Sequence, residues 1–188
     1  MRILMLGNSL TRSNRMPDML AELLDAEVVA NVRSGARLAE QLNVGTRLGA
    51  QVSQFLQEEP FDYVVLQEMS HGPATATDRY LESVGKLASA ARRAGAVPMI
   101  YATWAFHPEC EKLQKIGMDT MQMHEQMQAA FAKAAEENQM PVANVGEAFR
   151  QRGFADELYA PDGRHPSEAG SRIAAEVIAQ AIREYEQK

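Results

Sequence analysis

Apolar residues along this chain fall into two alternating patterns. Short continuous runs occur at residues 3–6, 28–32, 63–66, 97–101 and 142–145. Runs of this length, apolar without alternation, suit strands covered on both faces, as in a parallel sheet. Between them, residues 17–25, 47–58, 77–94 and 119–138 carry helical spacing, and a last helix is expected over 166–185. Leu81, Val84, Leu87, Ala88 and Ala91 make one stripe of the third helix, and Ile173, Val177, Ile178, Ala181 and Ile182 one stripe of the last. Pro166 suits the first turn of that helix, where no amide hydrogen is needed.

Strand–helix alternation from end to end predicts a three-layer α/β/α sandwich around a five-stranded parallel sheet. No linker, repeat or low-complexity stretch interrupts it, so residues 1–188 are read as one domain. Pattern alone leaves the strand order open. In such folds ligands gather beyond the carboxyl ends of the strands. The segments to read together are therefore 7–11, 33–36, 67–71, 103–107 and 162–165, the last of them just before the final helix.

Acyl transfer by serine needs a base to take the hydroxyl proton, a group to orient that base, and donors for the oxyanion. Ser9 follows the first strand, with Gly7 easing the turn. Asp162 precedes His165 by three residues, and the intervening glycine allows the carboxylate to fold onto the ring. Gly35 follows the second strand, and without a Cβ its amide can approach a reacting carbonyl beside the Ser9 amide. Each piece has a plainer reading. Gly-Asn-Ser is a common turn, and Asp-Gly-Arg-His-Pro is good turn chemistry ahead of a helix. Their order along the chain tips the balance toward chemistry.

Composition narrows the partners. Hydrophobic residues are 46% and charged residues 23% of the chain, ordinary for a globular protein, and the net charge is −6. Arg92-Arg93 is the only adjacent basic pair, on a helix that reads as solvated, so nucleic acid is excluded as a partner. The single Cys110 allows no internal disulfide and no cysteine pair for a metal. The opening apolar run is four residues, short of the roughly 7–15 of a signal peptide or the roughly 20 of a membrane span. The expectation is a cytoplasmic protein without a membrane partner. Whether it forms a homo-oligomer is left open.

Gly7-Asn8-Ser9-Leu10-Thr11 resembles the nucleophile block of the SGNH/GDSL hydrolases, which usually reads Gly-Asp-Ser. Gly35 resembles their second-block glycine, and 159–167, Tyr-Ala-Pro-Asp-Gly-Arg-His-Pro-Ser, resembles the final block that carries the acid and base. The likeness runs from residue 5 to about 175. It implies a flavodoxin-like sandwich, hydrolysis of esters, often small acyl groups such as acetyl on carbohydrates or lipids, no cofactor, and Ser9, Asp162 and His165 as the triad. Two departures stand out. Asn8 replaces the usual aspartate, and the third block lacks the asparagine that donates the third oxyanion bond. Gln67 either supplies that donor or satisfies backbone groups at the strand end.

Asn8, Trp104 and His71 are candidates for the substrate pocket, since all follow strand ends; a lone tryptophan such as Trp104 is more often a packing residue. Glu68 reads as a structural or rim carboxylate. His71, His107, Glu109 and Cys110 lack zinc spacing, so no metal is expected. Met118, Met121, Met123 and Met127 suit the core or a contact between copies, and His124 among them reads as exposed. A ligand-binding protein without turnover is the competing reading. A nucleotide or flavin binder using residues 7–11 would need Gly-x4-Gly-Lys-Ser/Thr or Gly-x-Gly-x-x-Gly, and neither occurs. Under the hydrolase reading, activity falls on acidification near the ordinary histidine pKa of about 6.5.

Overall fold

The computed structural model describes residues 1–187. In chain order the elements are β1 (Arg2–Gly7), α1 (Ser9–Arg12), a 3-10 turn (Ser13–Arg15), α2 (Met16–Leu24), β2 (Glu27–Val32), α3 (Leu38–Leu42) and α4 (Arg47–Glu58). They continue with β3 (Tyr63–Leu66), α5 (Gly72–Thr75), α6 (Thr77–Arg93), β4 (Val97–Ala102), α7 (Glu111–Ile116), α8 (Thr120–Asn138), β5 (Val142–Asn144) and α9 (Val145–Gln151). A second 3-10 turn (Asp156–Leu158) leads to α10 (Glu168–Glu186).

All five strands pair in parallel in the order β2-β1-β3-β4-β5. This is the flavodoxin-like order, with helices on both faces of the sheet. Helix α2 packs against α10, while α3, α4, α6 and α8 pack among themselves. Continuous apolar runs have the burial such a sheet demands. Ile3, Leu4, Met5 and Leu6 of β1 and Val64 and Val65 of β3 are fully buried, whereas β2 at the edge is only partly so. The chain leaves β1 toward β2 on one side and later returns to β3 on the other. The reversal opens a crevice beyond the carboxyl ends of β1 and β3, where such folds place their ligands.

Two boundaries differ from the sequence expectation. Val145 does not end a strand but begins α9, because the Asn144 side chain accepts a hydrogen bond from Glu147 N and caps a helix there. Pro166 lies outside the last helix. It pairs with Tyr159 in an isolated antiparallel bridge, and Ser167 is the cap, its Oγ accepting from Gly170 N. The helical stripes fall as expected, with Val84, Leu87, Ala88 and Ala91 buried on α6 and Ile178 and Ile182 on α10. His124 is 4% exposed rather than solvated. It packs on the Phe154 ring and lies 3.5 Å from Glu147, and burial is the main cause lowering its pKa. Of the methionine cluster, Met123 and Met127 are core, Met118 packs on the core's edge and Met121 is exposed. No helix among the described residues is long and apolar enough to cross a membrane.

Candidate active site

Side-chain hydrogen bonds join the segments 7–11, 33–36, 67–71, 103–107 and 162–165 at one rim. Ser9 opens α1, and Asn8 caps that short helix by accepting from Leu10 N at 3.0 Å. The other end of the Asn8 amide donates to Ala36 O at 3.0 Å, tying the turn after β1 to the loop after β2. Gln67, just past β3, accepts at 2.9 Å from both Asn8 N and Thr11 Oγ1. Glu68 accepts from Met69 N and Leu38 N, linking the β3 end to the start of α3. Burial pushes the Glu68 carboxyl above the usual range, partly offset by those two amides.

These bonds explain Gly7. Its φ is not left-handed, so turn geometry does not require it. Space does, because a Cβ there would lie 2.6 Å from Gln67 Oε1 and from Thr11 Oγ1. Gly35 is the opposite case. Its φ is +71°, a conformation glycine adopts freely, and a Cβ would meet no atom. That turn leaves the Gly35 amide without a protein acceptor among the described residues, as is the Ser9 amide at the first position of α1. The amides of Ser9 and Gly35 are thus both free to donate to a ligand.

The second half of the site comes from the turn before α10. Ser9 Oγ lies 3.0 Å from His165 Nε2, and His165 Nδ1 lies 2.6 Å from Asp162 Oδ2. A carboxylate can only accept, so Nδ1 carries the ring hydrogen and Nε2 is left to accept from the serine. Asp162 Oδ1 accepts the backbone amides of Arg164 and His165, each at 3.0 Å. Burial acts to raise the Asp162 pKa but is outweighed by the bonds from the His165 ring and these two amides. The carboxyl is brought down to about 2 and stays ionised. Gly163, at φ +65°, turns this loop tightly against Cys110 and His107. His107 N donates to Gly163 O, and Cys110 Sγ contacts Asp162 O. A cleft of about 690 Å³ opens on the outer side of this turn, between the segment after β4 and residues 156–164.

Several expected roles change. Asn8 is 2% and Trp104 1% exposed, so neither walls a substrate pocket. Asn8 cross-links two loops. Trp104 stacks on Phe149 with ring centroids 4.4 Å apart and donates from Nε1 to Arg164 O at 3.0 Å, anchoring the histidine turn. Gln67 is also buried. Its oxygen braces the Ser9 turn and its nitrogen donates to Glu68 O, so its hydrogen bonds go to neighbouring loops and not to the third oxyanion position. His71 is half-buried at the head of α5, bonded to Thr75 and edge-on to Phe106. Burial lowers its pKa, with Lys112 and Arg37 adding to the effect. Sequence reading passed over Thr11, which is fully buried and bonded to Gln67, and Arg164, which reaches Asp162 Oδ2 at 3.1 Å. The position of Arg164 inside the Asp-x-x-His block was the available signal.

Comparison with known proteins fits this geometry. The model of the GDSL-like lipase/acylhydrolase family matches residues 5–173. A candidate SGNH hydrolase from Slackia heliotrinireducens shares 56% identity over 97% of this chain and 98% of its own, with a TM-score of 0.94. An acetylxylan esterase from Geobacillus stearothermophilus superposes with a TM-score of 0.73 at 15% identity, covering 96% of this chain and 93% of its own. A DUF4886 family protein from Bacteroides uniformis gives 0.76 at 18% identity, covering 96% and 82%. Both of these show a shared fold. No curated protein sequence matches the chain.

Proposed function

The chain belongs to the GDSL-like lipase/acylhydrolase family of ester-hydrolysing serine hydrolases, and we propose that Ser9 is its nucleophile, His165 its general base and acid, and Asp162 the group that orients His165. The observation that carries the assignment is the unbroken series of Ser9 Oγ, the His165 ring and the Asp162 carboxylate at 3.0 and 2.6 Å. Residues 156 positions apart in sequence have no local reason to meet with this polarity.

The chemistry is two-step acyl transfer. His165 Nε2 takes the Ser9 proton as Oγ bonds to the ester carbon. The negative oxygen is received by the free amides of Ser9 and Gly35, each such donor being worth roughly 2.7–4 kcal/mol in the transition state. The ester C–O bond then breaks, and the leaving alcohol takes the proton from His165. Water attacks the acyl-serine with His165 again as base, releasing the acid and restoring Ser9. Asp162 remains ionised throughout and steadies the imidazolium.

The substrate we assign is a small acyl ester, acetyl above all, carried on a carbohydrate alcohol. Support comes from the fold shared with acetylxylan esterases and from the bonding of Asn8, Gln67 and Trp104 into the protein, which fills the rim with structure. The test is fluorophosphonate labelling mapped by mass spectrometry, with a panel of chromogenic esters of increasing chain length. The adduct is expected on Ser9 and absent in Ser9→Ala, with turnover greatest for acetyl. A folded protein with no adduct at Ser9 overturns the triad. A preference for long chains overturns the substrate class alone.

A further inference from the structure

The Asp162 carboxylate has a partner that acyl transfer does not require. Arg164 Nη2 lies 3.1 Å from Oδ2, the same oxygen that accepts from the His165 ring at 2.6 Å. With the two backbone amides on Oδ1, four donors share one carboxylate, and one of them is a full cation. A carboxylate stabilises an imidazolium through its negative charge. A guanidinium on the same oxygen withdraws part of that charge and also repels the imidazolium directly.

The Arg164 backbone is fixed at both ends, its amide by Asp162 Oδ1 and its carbonyl by Trp104 Nε1. The side chain therefore leaves a locked turn and keeps only 34% of its surface in water. We propose that Arg164 is a positioning residue of the triad, holding Asp162 and drawing off part of its negative charge, so that turnover extends to lower pH and the leaving alcohol is protonated more readily. The proposal rests on the Ser9–His165–Asp162 assignment above.

Other titratable groups face the same turn. His107 and Cys110 abut it from the segment after β4, and Ser9 meets the ring from α1. Glu109, Glu111, Lys112, Lys115 and Asp156 line the cleft beyond it. All of them stay in place when Arg164 alone is replaced, so a change between variants reports on the guanidinium.

The experiment is the pH profile of kcat/KM on a chromogenic acetyl ester for the wild type, Arg164→Gln, Arg164→Met and Arg164→Lys, at low and high salt. The midpoint of the acid limb should rise by about half a pH unit in the Gln and Met variants and by less in Lys, since a partly exposed pair is worth under one pKa unit. The plateau should fall by no more than a few-fold. Salt should raise the wild-type midpoint toward that of Arg164→Gln and leave the variant unmoved. Equal midpoints in wild type, Gln and Met overturn the proposal, as does a loss uniform across pH, which marks a structural clasp. If instead the wild type has no acid limb, or Ser9→Ala keeps its turnover, the triad assignment has failed and takes this inference with it.

Discussion

On the nucleophile flank of the site, Asn8, Thr11 and Gln67 are buried and each is bonded to another loop, whereas on the base flank Asp162, Arg164 and His165 keep about a third of their side-chain surface in water. The first flank is held by polar groups that have nowhere else to bond. Losing one partner there strands another in the interior, at a cost of about 1–3 kcal/mol. The second is a turn pinned from behind by Trp104, His107 and Cys110, with its working face open. The difference follows from what each flank does. Under the proposed mechanism a serine oxygen must stay fixed against its oxyanion donors, whereas an imidazole has to serve first the serine, then the leaving alcohol, then water.

On this division, damage to the base flank costs activity without stability, and damage to the nucleophile flank costs both. Asp162→Asn is the sharpest case. Its side-chain oxygen can still receive the amides of Arg164 and His165, but the acceptor that fixes the ring tautomer is gone. Turnover should fall by about 10⁴-fold, with the denaturant midpoint nearly unchanged. A large loss of stability would place Asp162 with the structural flank. Gln67→Met comes next. It preserves length but removes the acceptor of Asn8 N and Thr11 Oγ1, so stability should drop by about 1–3 kcal/mol, with activity down roughly 10–100-fold as the Ser9 turn loosens. Full activity in a destabilised protein would separate the brace from the nucleophile. Trp104→Phe is the mildest. The stack on Phe149 survives while the bond to Arg164 O is lost, which should cost about 1 kcal/mol and a few-fold in kcat/KM. Urea unfolding and steady-state kinetics on the same three preparations read both quantities.

The same contrast explains what could be read from sequence. Strands β1, β3 and β4 were legible because burial on both faces forces uninterrupted apolar runs, and the long helices because their stripes repeat over several turns. The four- to seven-residue helices α1, α3, α5, α7 and α9 are too short to show a period. Two of them, α1 and α9, begin at the side-chain caps of Asn8 and Asn144, and α3 begins where Leu38 N donates to the Glu68 carboxylate. Among the candidate site residues, Ser9, Gly35, Asp162 and His165 stand out in the sequence because the chemistry proposed for them depends on residue type and on order along the chain. Asn8, Gln67 and Trp104 stay undecided between the substrate and the protein interior, since no local pattern says whether a polar group beyond a strand end faces water or a neighbouring loop. The structure turns all three inward.

The hydroxyl on α1 and the ring before α10 are brought together from opposite ends of the chain, and Asn14 fastens the same junction by bonding Pro166 O and Ser171 Oγ. Under the proposed triad, a polypeptide still being made by the ribosome therefore exposes its serine early but has no base to activate it. Hydrolytic competence arrives only when translation has passed the last helix and that segment has docked. Loss of that helix by premature termination or proteolysis would leave a fragment holding a serine with no means to deprotonate it.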